Sequence, residues 1–202
     1  MPELPEVETI VRQLKKRGVE QREILAVRID WPKMIAPYSC SSFSKKICNE
    51  RIIKLSRNGK WIIFELSNNK FLLIHLRMSG SFSKKPSKYD RAEMLLSGGV
   101  KLFYRDSRKF GKWIFTYNPS SILNKLGPDA LSKDFSWKYF YELMNKKNRM
   151  IKPFLLDQSF IAGIGNIYAD EALWLAKIHP KKISNTISIN CLLYTSDAAD
   201  EE

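Results

Sequence analysis

At the start of the chain, apolar positions recur with helical spacing: Leu4, Val7, Ile10, Val11 and Leu14, with polar residues between them. The pattern predicts an amphipathic helix over residues 4–14, and Gly18 supplies a stop. The period then changes. Ile24–Asp30, Arg51–Arg57, Trp61–Ser67, Phe71–Met78, Ala92–Ser97, Val100–Asp106 and Lys112–Tyr117 are short runs rich in Ile, Leu, Phe and Trp. Turn-forming pairs such as Asn58-Gly59 and Gly98-Gly99 separate them, which predicts strands of a sandwich or a barrel. Asn118-Pro119-Ser120-Ser121 and Gly127-Pro128-Asp129 read as loop, and from Ser136 to about Ile178 the pattern is helical and aromatic. The expected organisation is a β-rich domain at 1–118, a linker at 119–133 and a helical domain at 134–190, without internal repeats. Residues 191–202 continue none of these patterns; from Ser196 onward they are small and acidic, and the segment is expected to be foreign to the fold.

Charge narrows the partners. Across 202 residues, 34 Lys and Arg outnumber 21 Asp and Glu, for a formal net charge of +13. Because the basic residues recur along the whole chain among aromatics, a nucleic acid is favoured over a membrane surface as the polyanionic partner. A hydrophobic content of 44% is enough for a packed core. No apolar stretch is long enough to span a bilayer, and the opening Met1-Pro-Glu-Leu-Pro-Glu is acidic and proline-rich, unlike a signal peptide. Cys40, Cys48 and Cys191 form no Cys-x-x-Cys pair, so neither a disulfide framework nor a metal site is expected. These features fit a monomer in a reducing cytoplasm.

The N-terminus offers a reagent. Met1 precedes Pro2, a small residue that permits methionine removal and would then expose a secondary amine. An α-amino group titrates at about 7.7–8.0, against about 10.4 for lysine, so more of it is neutral and nucleophilic at cellular pH. Glu3 is placed to move protons, with Glu6 and Glu8 close behind. By itself, Pro before a helix is a good first-turn residue and Glu there complements the helix dipole. The whole string Met1-Pro-Glu-Leu-Pro-Glu-Val-Glu-Thr9, however, resembles the N-terminal signature of the formamidopyrimidine-DNA glycosylases.

Four further segments carry the same resemblance in both halves of the chain: Arg57-Asn-Gly-Lys60-Trp61, His75-Leu-Arg-Met78-Ser-Gly80, Asp106-Ser-Arg108-Lys-Phe110-Gly111 and Ile151-Lys152-Pro through Gly165-Asn166 to Glu171. The last ends in a glycine-rich turn that opens a helix, where free backbone amides can hold a phosphate. Read without the family, these are a solvated hairpin, a strand-end histidine, a basic turn and a helix start. The resemblance implies more. The fold would be α+β: an N-terminal β-sandwich with a leading helix, then a helix–two-turns–helix DNA-binding domain. The activity would be removal of oxidised purines such as 8-oxoguanine or formamidopyrimidines from double-stranded DNA, followed by lyase cleavage at the abasic site. Pro2, Glu3 and Lys60 would carry the chemistry, with Glu6 and Glu171 orienting the amine. His75, Lys147, Lys152 and Asn166 would contact DNA, Met78 and Phe110 would wedge into the duplex, and Arg108 would face the orphaned cytosine. Such wedges offset the few kcal/mol spent in extruding a base.

The sequence departs from the family pattern in two places. Where the family has His-Asp-His after the wedge methionine, this chain has Lys88-Tyr89-Asp90-Arg91, leaving Tyr89 as the replacement phosphate contact. The family's C-terminal zinc finger, with two Cys-x-x-Cys pairs, has no counterpart here, so no cofactor is expected in this chain and its DNA binding is expected to be weak. An endonuclease VIII-like enzyme for oxidised pyrimidines, a catalytically inert DNA-binding fragment and a basic structural protein are the alternatives. Leu4 and the Met78/Arg108/Phe110 set argue against the first; for the second, intact Pro2 and Glu3 argue against loss of chemistry by substitution, while truncation could still produce it. The third explains the charge alone.

Overall fold

The computed structural model describes residues 1–133 and 135–189, so the predicted tail, Cys191 included, lies outside the described residues. The chain divides into two compact units, residues 1–123 and 124–202.

The first unit opens on helix α1 (Leu4–Lys16), whose Leu4, Val7, Val11 and Leu14 are buried as the apolar spacing requires. Arg17 caps its C-terminus and Gly18 follows with a φ of 67°, the left-handed conformation that ends a helix at little cost in glycine. Eight strands make two antiparallel four-stranded sheets. One has the order β1 (Ile24–Ile29), β6 (Asp90–Leu96), β7 (Val100–Arg105), β5 (Ser81–Ser83). The other has the order β2 (Ile52–Asn58), β3 (Trp61–Leu66), β4 (Lys70–His75), β8 (Lys112–Thr116). Aromatic contacts join their inner faces: Phe82 of β5 lies 6.3 Å from Phe64 of β3, and Tyr104 of β7 meets Trp113 of β8 edge-on at 5.2 Å. One hydrophobic core runs through both sheets, α1 and a second helix, α2 (Cys40–Ile47). The sandwich is the observed alternative.

The expected strand over Phe71–Met78 stops at His75. Leu76 turns inward and is buried, while Arg77 takes a φ of 53°, so the chain leaves the sheet before Met78. Pro119 is followed by a single helical turn, α3 (Ser120–Leu123), where loop was predicted.

The second unit is built from α4 (Trp137–Asn145), α5 (Ile151–Leu156) and α6 (Asn166–Leu175). The Ser136 side chain caps α4 by accepting the Tyr139 N–H at 3.2 Å. Pro153 sits in the first turn of α5, where its missing N–H leaves no bond unmade. Met144, Ile151, Phe154, Ile161, Leu173 and Ile178 pack the core, with Phe160 stacked on Phe154 at 4.9 Å.

Candidate active site and DNA-facing loops

Pro2 lies immediately before the capping box that starts α1. Glu3 accepts from the Glu6 N–H, and the Glu6 carboxylate accepts the Glu3 N–H at 2.8 Å. This reciprocal pair fixes Glu3, which is only 1% exposed, at the mouth of the helix directly after the proline. Lys60 approaches from the β2–β3 hairpin and is 7% exposed. Burial pushes its ammonium below the usual lysine range, and the nearby Glu3 carboxylate works against that shift. The structure therefore brings together the three residues predicted to carry chemistry.

The turn that carries Lys60 is tied down by Arg57, which the motif includes without a role of its own. Arg57, at the end of β2, donates to Glu8 of α1 at 3.0 Å and to the Gly59 carbonyl at 3.0 Å. The guanidinium thus joins the leading helix to the turn that carries Lys60.

His75 belongs to the same sheet end, because the β3–β4 register sets it opposite Trp61. Its ring meets the Trp61 ring edge-on at 4.9 Å, and its Nδ1 accepts the Arg77 N–H at 3.1 Å. Burial, with the positive charges of Arg77 and Lys60, pushes its pKa down to about 3. The imidazole is neutral at physiological pH and holds its proton on Nε2, so it can donate one hydrogen bond without adding a charge. A consequence follows for stability. Between about pH 6.5 and the lowered value of about 3, the unfolded chain binds a proton at His75 and the folded chain does not. Stability should therefore fall with acidification through that window, by up to about 1.4 kcal/mol per pH unit from this group. Denaturant titrations of wild type and His75→Gln across the window test this: the variant should show the shallower slope, and parallel curves would contradict it.

Met78 and Phe110, the residues expected to act as wedges, stand on two exposed loops. Met78 is 40% exposed at the tip of the turn closed by the Gly80 N–H to the Leu76 carbonyl at 2.9 Å. Phe110 is 55% exposed, with the Arg108 guanidinium 5.1 Å from its ring centre. Between them Lys109 takes a φ of 60° and its ammonium lies 4.5 Å from the Trp31 ring centre. Tyr89 is exposed on a third loop, its ring 5.2 Å from the Lys88 ammonium. The buried Tyr104 hydroxyl props up the first two loops. A Cβ built on Gly111 would lie 1.9 Å from that oxygen, and one on Gly80 2.5 Å from it. Gly111→Ala should destabilise the first unit by about 1–3 kcal/mol through overpacking, and Tyr104→Phe should restore part of the loss. Calorimetry of the single and double variants reads the coupling; strictly additive losses would rule it out.

In the second unit, Asn166 is the exposed first residue of α6. Before it, the Gln158 side chain clamps the glycine turn, donating to the Ile164 carbonyl at 2.8 Å and accepting the Gly163 N–H at 3.0 Å. Gly163 has a φ of 109°, open to glycine and strained for other residues. Lys152 is ion-paired with Asp170 at 2.6 Å, a partner the sequence reading did not anticipate. Lys147 places its ammonium 5.3 Å from the Phe160 ring centre, and Glu171 is exposed on α6. Among the described residues, no group of three or more His, Cys, Asp or Glu is arranged to hold a metal ion, and no helix is long and apolar enough to cross a membrane.

Comparison with known proteins gives concordant matches. The family model for the formamidopyrimidine-DNA glycosylase N-terminal domain matches residues 1–113, and that for the H2TH domain of the same enzymes matches residues 126–198. The chain is 42% identical over 197 residues to the formamidopyrimidine-DNA glycosylase of Protochlamydia amoebophila, covering 95% of this chain and 71% of the relative. It is 38% identical over 197 residues to that of Herpetosiphon aurantiacus, covering 94% and 72%. Among solved structures, the Lactococcus lactis Fpg in complex with abasic-site DNA superposes with a TM-score of 0.86 at 36% identity, covering 98% of this chain and 76% of that one. A mutant of the same enzyme in complex with Fapy-dG DNA also gives 0.86, at 37% identity, covering 99% and 76%.

Proposed function

Since this chain belongs to the formamidopyrimidine-DNA glycosylase family, we propose that it excises oxidised purines from double-stranded DNA and then cleaves the abasic site. The observation that carries this reading is the buried Glu3 carboxylate, held by the capping box between Pro2 and the partly desolvated Lys60. Removal of Met1 frees the Pro2 amine. Its lone pair forms a bond to C1′ of the sugar as the bond to the damaged base breaks, and Glu3 manages the proton that the leaving base requires. The C1′–O4′ bond then breaks with a proton passing to O4′, and the open-chain iminium so formed supports β-elimination and then δ-elimination. Lys60, whose lowered pKa eases proton release, serves the departing phosphate. Met78 and Phe110 fill the gap left by the extruded nucleotide, Arg108 reads the orphaned cytosine, and His75, Tyr89, Lys147, Lys152 and Asn166 contact the backbone. Glu6 fixes the N-terminal residues through its bond to Glu3, and Glu171 is the second orienting carboxylate. The work takes place on double-stranded DNA in the bacterial cytoplasm.

The family's zinc ion is not accommodated by the residues present: the cysteines form no Cys-x-x-Cys pair, and the described residues hold no cluster that could ligate it.

A panel of duplexes tests the reading. Those carrying 8-oxoguanine opposite cytosine, a formamidopyrimidine or an abasic site should be cleaved, and one carrying thymine glycol much less. Preference for the oxidised pyrimidine would move the chain to the endonuclease VIII-like activity. Silence on all four, the abasic duplex included, would overturn the catalytic assignment.

A further inference from the structure

Asp106 is 1% exposed, and among the described residues its carboxylate accepts hydrogen bonds from two backbone N–H groups and one hydroxyl. Each of these bonds organises a loop. One oxygen accepts the Ser79 hydroxyl and, at 3.2 Å, the Arg108 N–H. The other accepts the Gly111 N–H at 2.7 Å. Ser79 is the neighbour of Met78, while Arg108 and Gly111 bracket the turn that carries Phe110. The Ser79 hydroxyl also accepts the Arg108 N–H at 3.0 Å, so the two exposed loops share a three-membered polar junction. The Tyr89 loop is held differently. The backbone of residue 106 ties it down: its N–H donates to the Tyr89 carbonyl at 3.0 Å, and its carbonyl accepts from Arg91 Nε at 3.0 Å.

We propose that Asp106 is a positioning residue that locks the Met78 loop and the Arg108–Phe110 loop into one rigid probe, so that duplex wedging and recognition of the opposite base occur together. The assignment of those tasks rests on the function proposed above; the mechanical coupling rests on the geometry alone. A buried carboxylate suits this task because it presents acceptors only, so each donor it faces has a single way to be satisfied. Two loops bound to one such group cannot move apart without leaving a buried donor or acceptor unmet.

Asp106→Asn separates the ideas. The carboxamide keeps the shape, but it replaces one acceptor by a donor that must face an N–H or an O–H. Amide hydrogen exchange of the full chain is the deciding measurement. In the variant, the amides of Arg108, Gly111 and Gly80 should exchange roughly ten- to a hundredfold faster than in wild type. The residue 106 amide, bonded to the Tyr89 carbonyl by backbone alone, should keep its protection and thereby report that the sandwich is intact. Ser79→Ala should give the same pattern for Gly80 and Arg108 and spare Gly111. Acceleration confined to Arg108 and Gly111, with Gly80 unchanged in both variants, would overturn the coupling. Excision of 8-oxoguanine gives the functional arm: Asp106→Asn should lower kcat/KM and shrink the preference for cytosine over adenine opposite the lesion. A wild type silent on DNA, with Gly80 and Gly111 released together in the variant, would sink the functional reading and leave the mechanical one standing.

Discussion

Borohydride reduction of the protein mixed with an abasic-site duplex is expected to leave a covalent adduct that maps to Pro2, and a form that keeps Met1 is expected to leave none. While Met1 is attached, the Pro2 nitrogen belongs to an amide whose lone pair is delocalised into the carbonyl, so it cannot attack a sugar carbon. The Met1 amine is no substitute. It lies one residue further out, about 3.8 Å by the spacing of successive Cα atoms, and misplacing a reactive group by far less than this can cost about a hundredfold in rate. The loss should reach at least about 10³-fold, since removing a covalent nucleophile outright costs that much or more. Mass spectrometry of the starting protein fixes how much of it begins at Pro2, and adduct yield should scale with that fraction. Equal trapping by the Met1-retaining form would place the nucleophile elsewhere.

Replacing Glu3 by Gln is expected to have the second-largest effect. Gln keeps a side-chain oxygen that can accept at the helix start, and Glu6 still accepts the residue 3 N–H, so α1 should lose no more than about 1 kcal/mol. The titratable proton is gone, however, and base excision should fall by about 10²–10⁴-fold. Trapping at a preformed abasic site should survive better, because no damaged base remains to be released. A second signature comes from Lys60. Its pKa is lowered by burial against the opposing pull of Glu3. Neutralising residue 3 removes that opposition, so the alkaline limb of strand cleavage should move to lower pH. Single-turnover rates on lesion and abasic duplexes, taken from about pH 6 to 10, would display both effects. Parallel losses on the two duplexes with an unmoved limb would assign Glu3 a purely structural part.

Much of the sandwich was legible because its strands carry strong local signals. Ile62, Phe64 and Leu66 in β3, or Ala92, Met94 and Leu96 in β6, alternate inward as the pleat demands and are buried. The elements that escaped have weak ones. Strand β5 is only Ser81-Phe82-Ser83, and its identity comes from pairing with β7. Helix α2 offers only Phe43 and Ile47 among serines and lysines, and its cap, Ser39 accepting the Ser42 N–H at 3.2 Å, shows only in the structure. The site divides the same way. Pro2, Glu3 and Lys60 stand out as candidates because the family motif marks them, whereas the supports of the site join residues distant in sequence. Arg57 meets Glu8 across 49 positions, and Ser79 meets Asp106 across 27. No window of local pattern contains both members of such a pair, so their roles emerge only once the sheets are folded.

One tryptophan in each unit marks an extreme of solvent contact, with Trp31, Trp61 and Trp137 partly buried between them. Trp113 is fully buried where Tyr104, Phe82 and Phe43 converge on it, while Trp174 on α6 is 81% exposed. Indole emission shifts to longer wavelength in water, so Trp113 should emit at the blue edge of the intrinsic fluorescence and Trp174 at the red. An iodide quencher should reach Trp174 and spare Trp113 in the native protein. The chain therefore carries an optical label in each unit, and a denaturation followed at both edges, with Trp174→Phe as the control, would reveal whether the sandwich and the helical unit melt as one or in turn.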